Sequence, residues 1–219
     1  MTAKAVVFDM DGVLFDTERI SRNSWIEVGK RWGLDGIEII YPKVIGVNHT
    51  DGLQILKDAY GQDFDAETFT KECAAVMKRM LQEEGLPIKK GVREILEALK
   101  QKKIPVGICS STRTGVIRDH LQKTGLSDYF EQIIGGDQIL HSKPKPDIYL
   151  KACDALEMNP EDCIAVEDSP NGIRSAHAAG LVPVMIPDLV EPTDEMRRLS
   201  HVILHDLSDL QSMIENKEI

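Results

Sequence analysis

The chain has 219 residues, 42% of them hydrophobic, and a formal net charge of −10. That is enough chain for one domain, or one domain with a smaller insert, and the composition excludes the disordered and fibrous classes. The negative balance argues against non-specific attraction to nucleic acid or an anionic membrane surface.

Residues 1–4 lead straight into the apolar run Ala5-Val6-Val7-Phe8, too short for a signal-peptide core. That run reads as a strand buried on both faces, as in a parallel sheet, and it ends in Asp9-Met10-Asp11-Gly12, where the glycine supports a sharp turn. From residue 16 to about residue 89 the pattern is helical. Trp25, Val28 and Trp32 share one stripe, and Phe69, Cys73, Val76, Met77 and Met80 another. Gly33, Gly36, Pro42 and Gly46 punctuate the stretch between them. The tryptophans and methionines read as the core of an all-helical insertion.

After Gly91 strands and helices alternate. Val92, Ile95, Leu96 and Leu99 mark a helix, and residues 105–109 a strand. Val116, Ile117 and Leu121 sit on a helix that Gly125 can end in a left-handed cap. Residues 132–134, 163–166, 182–186 and 201–204 read as further strands, and residues 148–156 and 171–179 as helices. Such alternation predicts an α/β fold, a doubly wound parallel sheet with helices on both faces. The expected division is a core of residues 1–15 and 90–219, with a helical cap of residues 16–89 inserted after the first strand. No apolar run approaches the roughly 18 residues of a membrane helix. The cysteines at 73, 109, 153 and 163 form no Cys-x-x-Cys pair and read as reduced thiols of a cytoplasmic protein.

In doubly wound sheets ligands bind at the carboxyl ends of the strands. There the chain places Asp9 and Asp11, then Ser110, Ser111 and Thr112, then Lys143 and Lys145 after a loop, then Glu167 and Asp168. Crowded carboxylates need a counter-charge. Oxygen ligands without histidine or cysteine suit a hard ion such as Mg²⁺, which commonly takes one or two carboxylates together with phosphate oxygens. Residues i and i+2 of an extended segment point the same way, so Asp9 and Asp11 can face one substrate, one attacking and the other handling the proton. Ser111 or Thr112 also suits the N-cap of the next helix.

These residues resemble the haloacid dehalogenase superfamily, in its branch of phosphatases and β-phosphoglucomutases. The carriers are Asp9-Met-Asp11-Gly-Val-Leu-Phe-Asp16-Thr-Glu18, Cys109-Ser-Ser-Thr112, Lys143-Pro-Lys-Pro-Asp147 and Val166-Glu-Asp-Ser-Pro-Asn-Gly-Ile173. The resemblance runs from residue 6 to about residue 207. It implies that Asp9 is the nucleophile and a Mg²⁺ ligand. Asp11 is the general acid/base, with its backbone carbonyl on the metal. Ser110 binds a phosphoryl oxygen, Lys143 neutralises phosphoryl charge and holds Asp9, and Asp168 binds Mg²⁺, with Glu167 acting directly or through water. The implied activity is Mg²⁺-dependent hydrolysis of a small phosphate monoester through an aspartyl-phosphate. The substrate is a small phosphorylated metabolite, with sugar phosphates, nucleotides and glycolate-type phosphates all open, and the protein is a monomer or small homo-oligomer. Ser111, His49 and Arg113 are candidate substrate contacts.

The alternative is a phosphoglucomutase, which returns the phosphoryl group to a sugar. That enzyme carries a histidine in the first cap helix where this chain has Ser21, and an arginine in the loop where this chain has Gly46-Val47-Asn48-His49. A dehalogenase needs neither Asp11 nor a metal, and a phospho-aspartate switch lacks the large helical insertion.

Overall fold

The structure, a computed structural model, describes residues 4–47 and 49–219. Asn48, part of the loop singled out above, lies outside the described residues. The chain opens with strand β1 (Ala5–Phe8) and then forms helices α1 (Thr17–Trp32), α2 (Ile37–Val44), α3 (His49–Tyr60) and α4 (Ala66–Glu84). Helix α5 (Val92–Lys102) leads to β2 (Val106–Ser110), α6 (Thr114–Thr124) and β3 (Gln132–Gly135). Then follow α7 (Asp147–Ala155), β4 (Cys163–Glu167), α8 (Pro170–Ala178), β5 (Val182–Met185), α9 (Asp194–Leu199), β6 (Val202–Ile203) and α10 (Leu207–Glu215).

All strand pairings are parallel, in the order β3-β2-β1-β4-β5-β6. The chain runs outward from β1 through β2 to β3, then crosses back to β4 on the other side of β1. The crevice at the carboxyl ends of β1 and β4 is therefore the topological switch point, where such sheets bind ligands.

Strand alternation divides the core into two layers. Val6, Phe8, Ile164 and Val166 pack with Val92, Ile95, Leu99, Ile117, Leu121 and Leu210 from α5, α6 and α10. Ala5, Val7, Cys163 and Ala165 face Ile148, Tyr149, Ala152 and Ala176 from α7 and α8. Phe8 pairs with Val166, so the next residues, Asp9 and Glu167, leave neighbouring strands at one level. The period-two rule puts both on the α7 face.

Residues 17–84 hold a separate cluster. Val28, Ile37, Leu56, Phe69, Cys73 and Val76 are buried together, with Trp25, Trp32 and Met80 packed against them. Both tryptophans meet the Phe69 ring edge-on, at 5.4 and 5.6 Å. The two chain crossings between this cluster and the sheet are hydrogen-bonded to each other, Asp16 N to Pro87 O and Lys89 N to Leu14 O, both 3.0 Å.

The structure adds helices at the punctuated stretch. Gly36 (φ 74°) caps the start of α2, and Pro42 sits inside that short helix. Gly125 ends α6 in the left-handed conformation expected. Neither Ser111 nor Thr112 caps α6. Its N-cap is Arg113, with no side-chain cap bond; Asp137 reaches across to accept from Thr114 N at 2.8 Å and Thr114 Oγ1 at 2.7 Å. Among the described residues no helix is long and apolar enough to cross a membrane.

Candidate active site

A cavity of about 490 Å³ lies at the switch point, between the strand ends and helices α1 to α4. Its floor holds Asp9, Asp11, Ser110, Ser111, Thr112, Lys143 and Asp168, and its roof holds Glu18, Ser21, Trp25, Tyr41 and His49. The structure thus brings the motif residues together, with Glu167 directly beneath.

Lys143 is the hub. Its Nζ donates to Asp9 Oδ1 at 2.5 Å, to Glu167 Oε1 at 2.6 Å and to Cys109 O at 3.3 Å. Exposure of Asp9, Lys143, Glu167 and Asp168 is 7%, 4%, 0% and 5%, so these charges are shielded from water. Glu167 also accepts from Tyr149 Oη at 2.6 Å and from Ser169 Oγ at 3.3 Å. Ser169 does double duty, since its Oγ accepts from Gly172 N as the N-cap of α8.

Two glycines make room for this cluster. A Cβ at Gly172 would fall on the Glu167 carboxylate, and one at Gly12 on that of Asp168. Gly12 also has φ 82°, a conformation that L-residues with side chains rarely adopt.

Asp11 turns toward a ring of hydroxyls. Its Oδ1 accepts from Thr17 Oγ1 at 2.6 Å, and its Oδ2 from Thr112 Oγ1 at 3.0 Å and Ser110 Oγ at 3.2 Å.

The charge balance is incomplete within the protein. Ligand oxygens of Asp9, Glu167 and Asp168 lie within 4.8 Å of one another, and Lys143 is the one lysine or arginine in the cavity wall among the described residues. Burial, the largest influence, works against the Lys143 ammonium, but Asp9 and Glu167 outweigh it and hold its pKa far above the usual lysine value. Burial pushes the Asp9 carboxyl well above the usual carboxylate range; Lys143 pulls it down, and Glu167 and Asp11 push it up. Burial does the same to Asp168, reinforced by Asp9 and Glu167. Three enclosed carboxylates facing one ammonium fit a divalent cation with hard oxygen preference.

Glu18 is a further titratable group of the cavity. Tyr41 Oη donates to its Oε2 at 2.6 Å. Burial pushes its carboxyl up to about 7 against that hydrogen bond, and Asp11 and Asp188 add to the push. An unfolded glutamate ionises near pH 4.3, so folding favours the protonated form. The resulting penalty is absent below about pH 4 and full above about pH 7. Glu18→Gln keeps an oxygen for Tyr41 and removes the penalty. It is expected to raise the melting temperature by roughly 3–8 °C at pH 8 and leave it nearly unchanged at pH 4.5. Thermal scans at both values check this; an equal gain at both would rule out ionisation as the cause.

The candidate substrate contacts separate. Ser111 and His49 line the cavity, although the His49 Nε2 lies 3.5 Å from Glu67 Oε1. Arg113 does not line it. The chain has already turned at Arg113 into the N-cap of α6, which leaves the residue exposed outside the wall. Trp25, read as core, both packs on Phe69 and lines the cavity. Sequence reasoning missed Thr17, Tyr41, Glu18 and Tyr149 as site residues. Thr17 and Glu18 stood inside the first motif, and Tyr149 lies in the first turn of the helix after Lys143, but their partners are set by the fold.

Residues 3–180 match the family model for haloacid dehalogenase-like hydrolases. The chain is 32% identical over 212 residues to a phosphorylated carbohydrates phosphatase of Thermotoga maritima, covering 97% of this chain and 90% of that one. It is 27% identical over 190 residues to a β-phosphoglucomutase of Bacillus subtilis, covering 83% and 82%. Among solved structures, a HAD hydrolase of family IA, variant 3, from Entamoeba histolytica superposes with a TM-score of 0.81 at 28% identity, covering 99% of this chain and 100% of that one. With a family match over most of its length and the four motifs gathered at one switch point, the chain belongs to the haloacid dehalogenase-like hydrolases.

Proposed function

We propose that this chain is a Mg²⁺-dependent phosphatase of small phosphorylated metabolites, with phosphorylated sugars the favoured class, working through an aspartyl-phosphate on Asp9. The observation that carries the reading is the enclosed Asp9–Lys143–Glu167 array on the floor of a cavity that also holds Asp11 and Asp168. The name of the Thermotoga maritima relative supports the substrate class.

Lys143 holds the Asp9 carboxylate in place and offsets negative charge on an incoming phosphoryl group. Ser110 and Thr112, whose hydroxyls donate to Asp11 Oδ2 in the structure, turn to donate to phosphoryl oxygens when substrate binds. Asp9 attacks phosphorus in line, and the bond to the ester oxygen breaks. Asp11, carrying a proton, gives it to that leaving oxygen. Asp11 then takes a proton from water, which attacks the aspartyl-phosphate and frees inorganic phosphate and Asp9. Splitting the hydrolysis into two displacements lowers a very large uncatalysed barrier. Asp9, Asp168 and the backbone carbonyl of Asp11 would hold Mg²⁺, with Glu167 acting directly or through water. When bound, the ion supplies further neutralisation of phosphoryl charge. Residues 16–89 act as a cap that closes over substrate and excludes water, on a core of residues 1–15 and 90–219.

Asp168→Asn is expected to raise the Mg²⁺ concentration for half-maximal activity at least about tenfold. An unchanged metal titration would remove Asp168 as a ligand.

Ser21 lines the cavity at the position where the mutase resemblance requires a histidine. A serine hydroxyl there does not titrate near neutrality, which favours transfer to water over transfer to a second sugar.

The test is release of inorganic phosphate from a panel of sugar phosphates, nucleotides and small acid phosphates, with Mg²⁺ and with EDTA. Metal-dependent release is expected. No release from any member by folded protein would overturn the reading.

A further inference from the structure

The leaving group must lie in the roof of the cavity, and the roof has an unusual charge. Glu18 stands there at the start of α1, and Ser21, one helical turn on, shares its face. Tyr41, from α2, clamps one oxygen of Glu18. The other oxygen accepts no hydrogen bond among the described residues. Among the described residues the roof contributes no lysine or arginine, and its one histidine, His49, sits beside Glu67. Trp25 and Leu53 supply apolar wall beside the polar groups.

Above about pH 7, where Glu18 is ionised, a second phosphate or a carboxylate entering this half would meet its charge with no lysine or arginine of the roof, among the described residues, to offset it. At close range such like-charge contacts in an enclosed site are costly. A neutral hydroxyl, by contrast, can donate to the free Glu18 oxygen, and apolar walls with a few placed polar groups suit a carbon chain bearing hydroxyls. We propose that Glu18, oriented by Tyr41, is the specificity-determining residue of the leaving-group half, selecting the monophosphate of an uncharged polyol over bisphosphates and over phosphates that carry a carboxylate. The inference rests on the phosphatase reading and narrows it.

The experiment measures kcat/KM of the full chain with Mg²⁺ at pH 8, where Glu18 is ionised, for glucitol 6-phosphate, fructose 1,6-bisphosphate, phosphoglycolate and p-nitrophenyl phosphate, whose leaving group bears no alcohol. The wild type is expected to prefer the glucitol ester to the bisphosphate and to phosphoglycolate by at least about tenfold. Glu18→Gln and Tyr41→Phe are each expected to lower the ratio of the glucitol ester to p-nitrophenyl phosphate about tenfold. Glu18→Gln also narrows the discrimination against phosphoglycolate. Ratios cancel any loss of folded fraction, and two variants guard against one that fails to fold. Unchanged ratios in both, or a wild-type preference for the bisphosphate, would overturn the proposal while the phosphatase reading stands. No phosphate release from any of the four esters would overturn both.

Discussion

Asp9→Asn is expected to lower turnover at least about a thousandfold while leaving the fold intact. The two effects have separate causes. An amide oxygen is a poor nucleophile and does not form an acyl phosphate, and removing a residue that forms the covalent bond typically costs several powers of ten. The fold, in contrast, loses little. Asn keeps the shape of the side chain and an oxygen for Lys143, which now donates to Asp9 Oδ1 and to Glu167 Oε1. Since burial and the neighbouring Glu167 and Asp11 already press on the Asp9 charge, its removal relieves repulsion in the metal-free protein. The melting temperature is therefore expected to hold or rise. Activity assays and thermal scans with EDTA read the two halves independently. Substantial residual turnover would remove Asp9 as the nucleophile, whereas a collapse in stability would mean that the residue is mainly structural.

Lys143→Met is expected to destroy activity and stability together. Methionine approximates the length of the lysine stem but leaves Asp9 and Glu167 without their shared cation. Glu167 is fully buried and would keep only the Tyr149 and Ser169 hydroxyls. Breaking a buried ion pair by removing one partner costs about 3–5 kcal/mol, roughly 10 °C for a chain of this size. The sign can be checked by a second change. Adding Glu167→Gln to Lys143→Met removes one of the stranded charges and is expected to recover part of the loss, a coupling that independent sites would not show. A drop of under about 2 °C for Lys143→Met would show that the carboxylates are balanced by some other group.

The floor of the site was legible in the sequence because it sits where strands end. A parallel strand of four or five residues fixes the position of the next residue, and the switch-point rule fixes which strand ends meet. Asp9, Asp11, Ser110, Lys143 and Asp168 could be placed together on that logic. The roof was not legible in the same way. Glu18 and Tyr41 meet only because α1 and α2 pack against each other, and helical periodicity shows which face is apolar but not which polar groups will touch. Arg113 was misplaced for a related reason: one residue beyond a strand-end cluster, the chain has already entered the next helix. The last helix, α10, has clear signals in the sequence. Leu207, Leu210 and Ile214 keep helical spacing, and Asp206 with Asp209 forms a capping box. Gly36 and Pro42 masked α2 because both are usual loop signals, whereas here the glycine caps the helix and the proline is accommodated within it.

Acid quench during turnover would trap a covalent phosphoryl group on Asp9. Protein mixed with a readily hydrolysed phosphate ester and Mg²⁺ would be stopped in acid within the first turnovers, digested, and its peptides analysed by mass spectrometry. The expected result is a phosphorylated peptide that contains Asp9, appearing with substrate and Mg²⁺ and absent when Asp9→Asn is treated in the same way. Steady turnover with no phosphopeptide at any quench time, or an adduct on a residue other than Asp9, would contradict it.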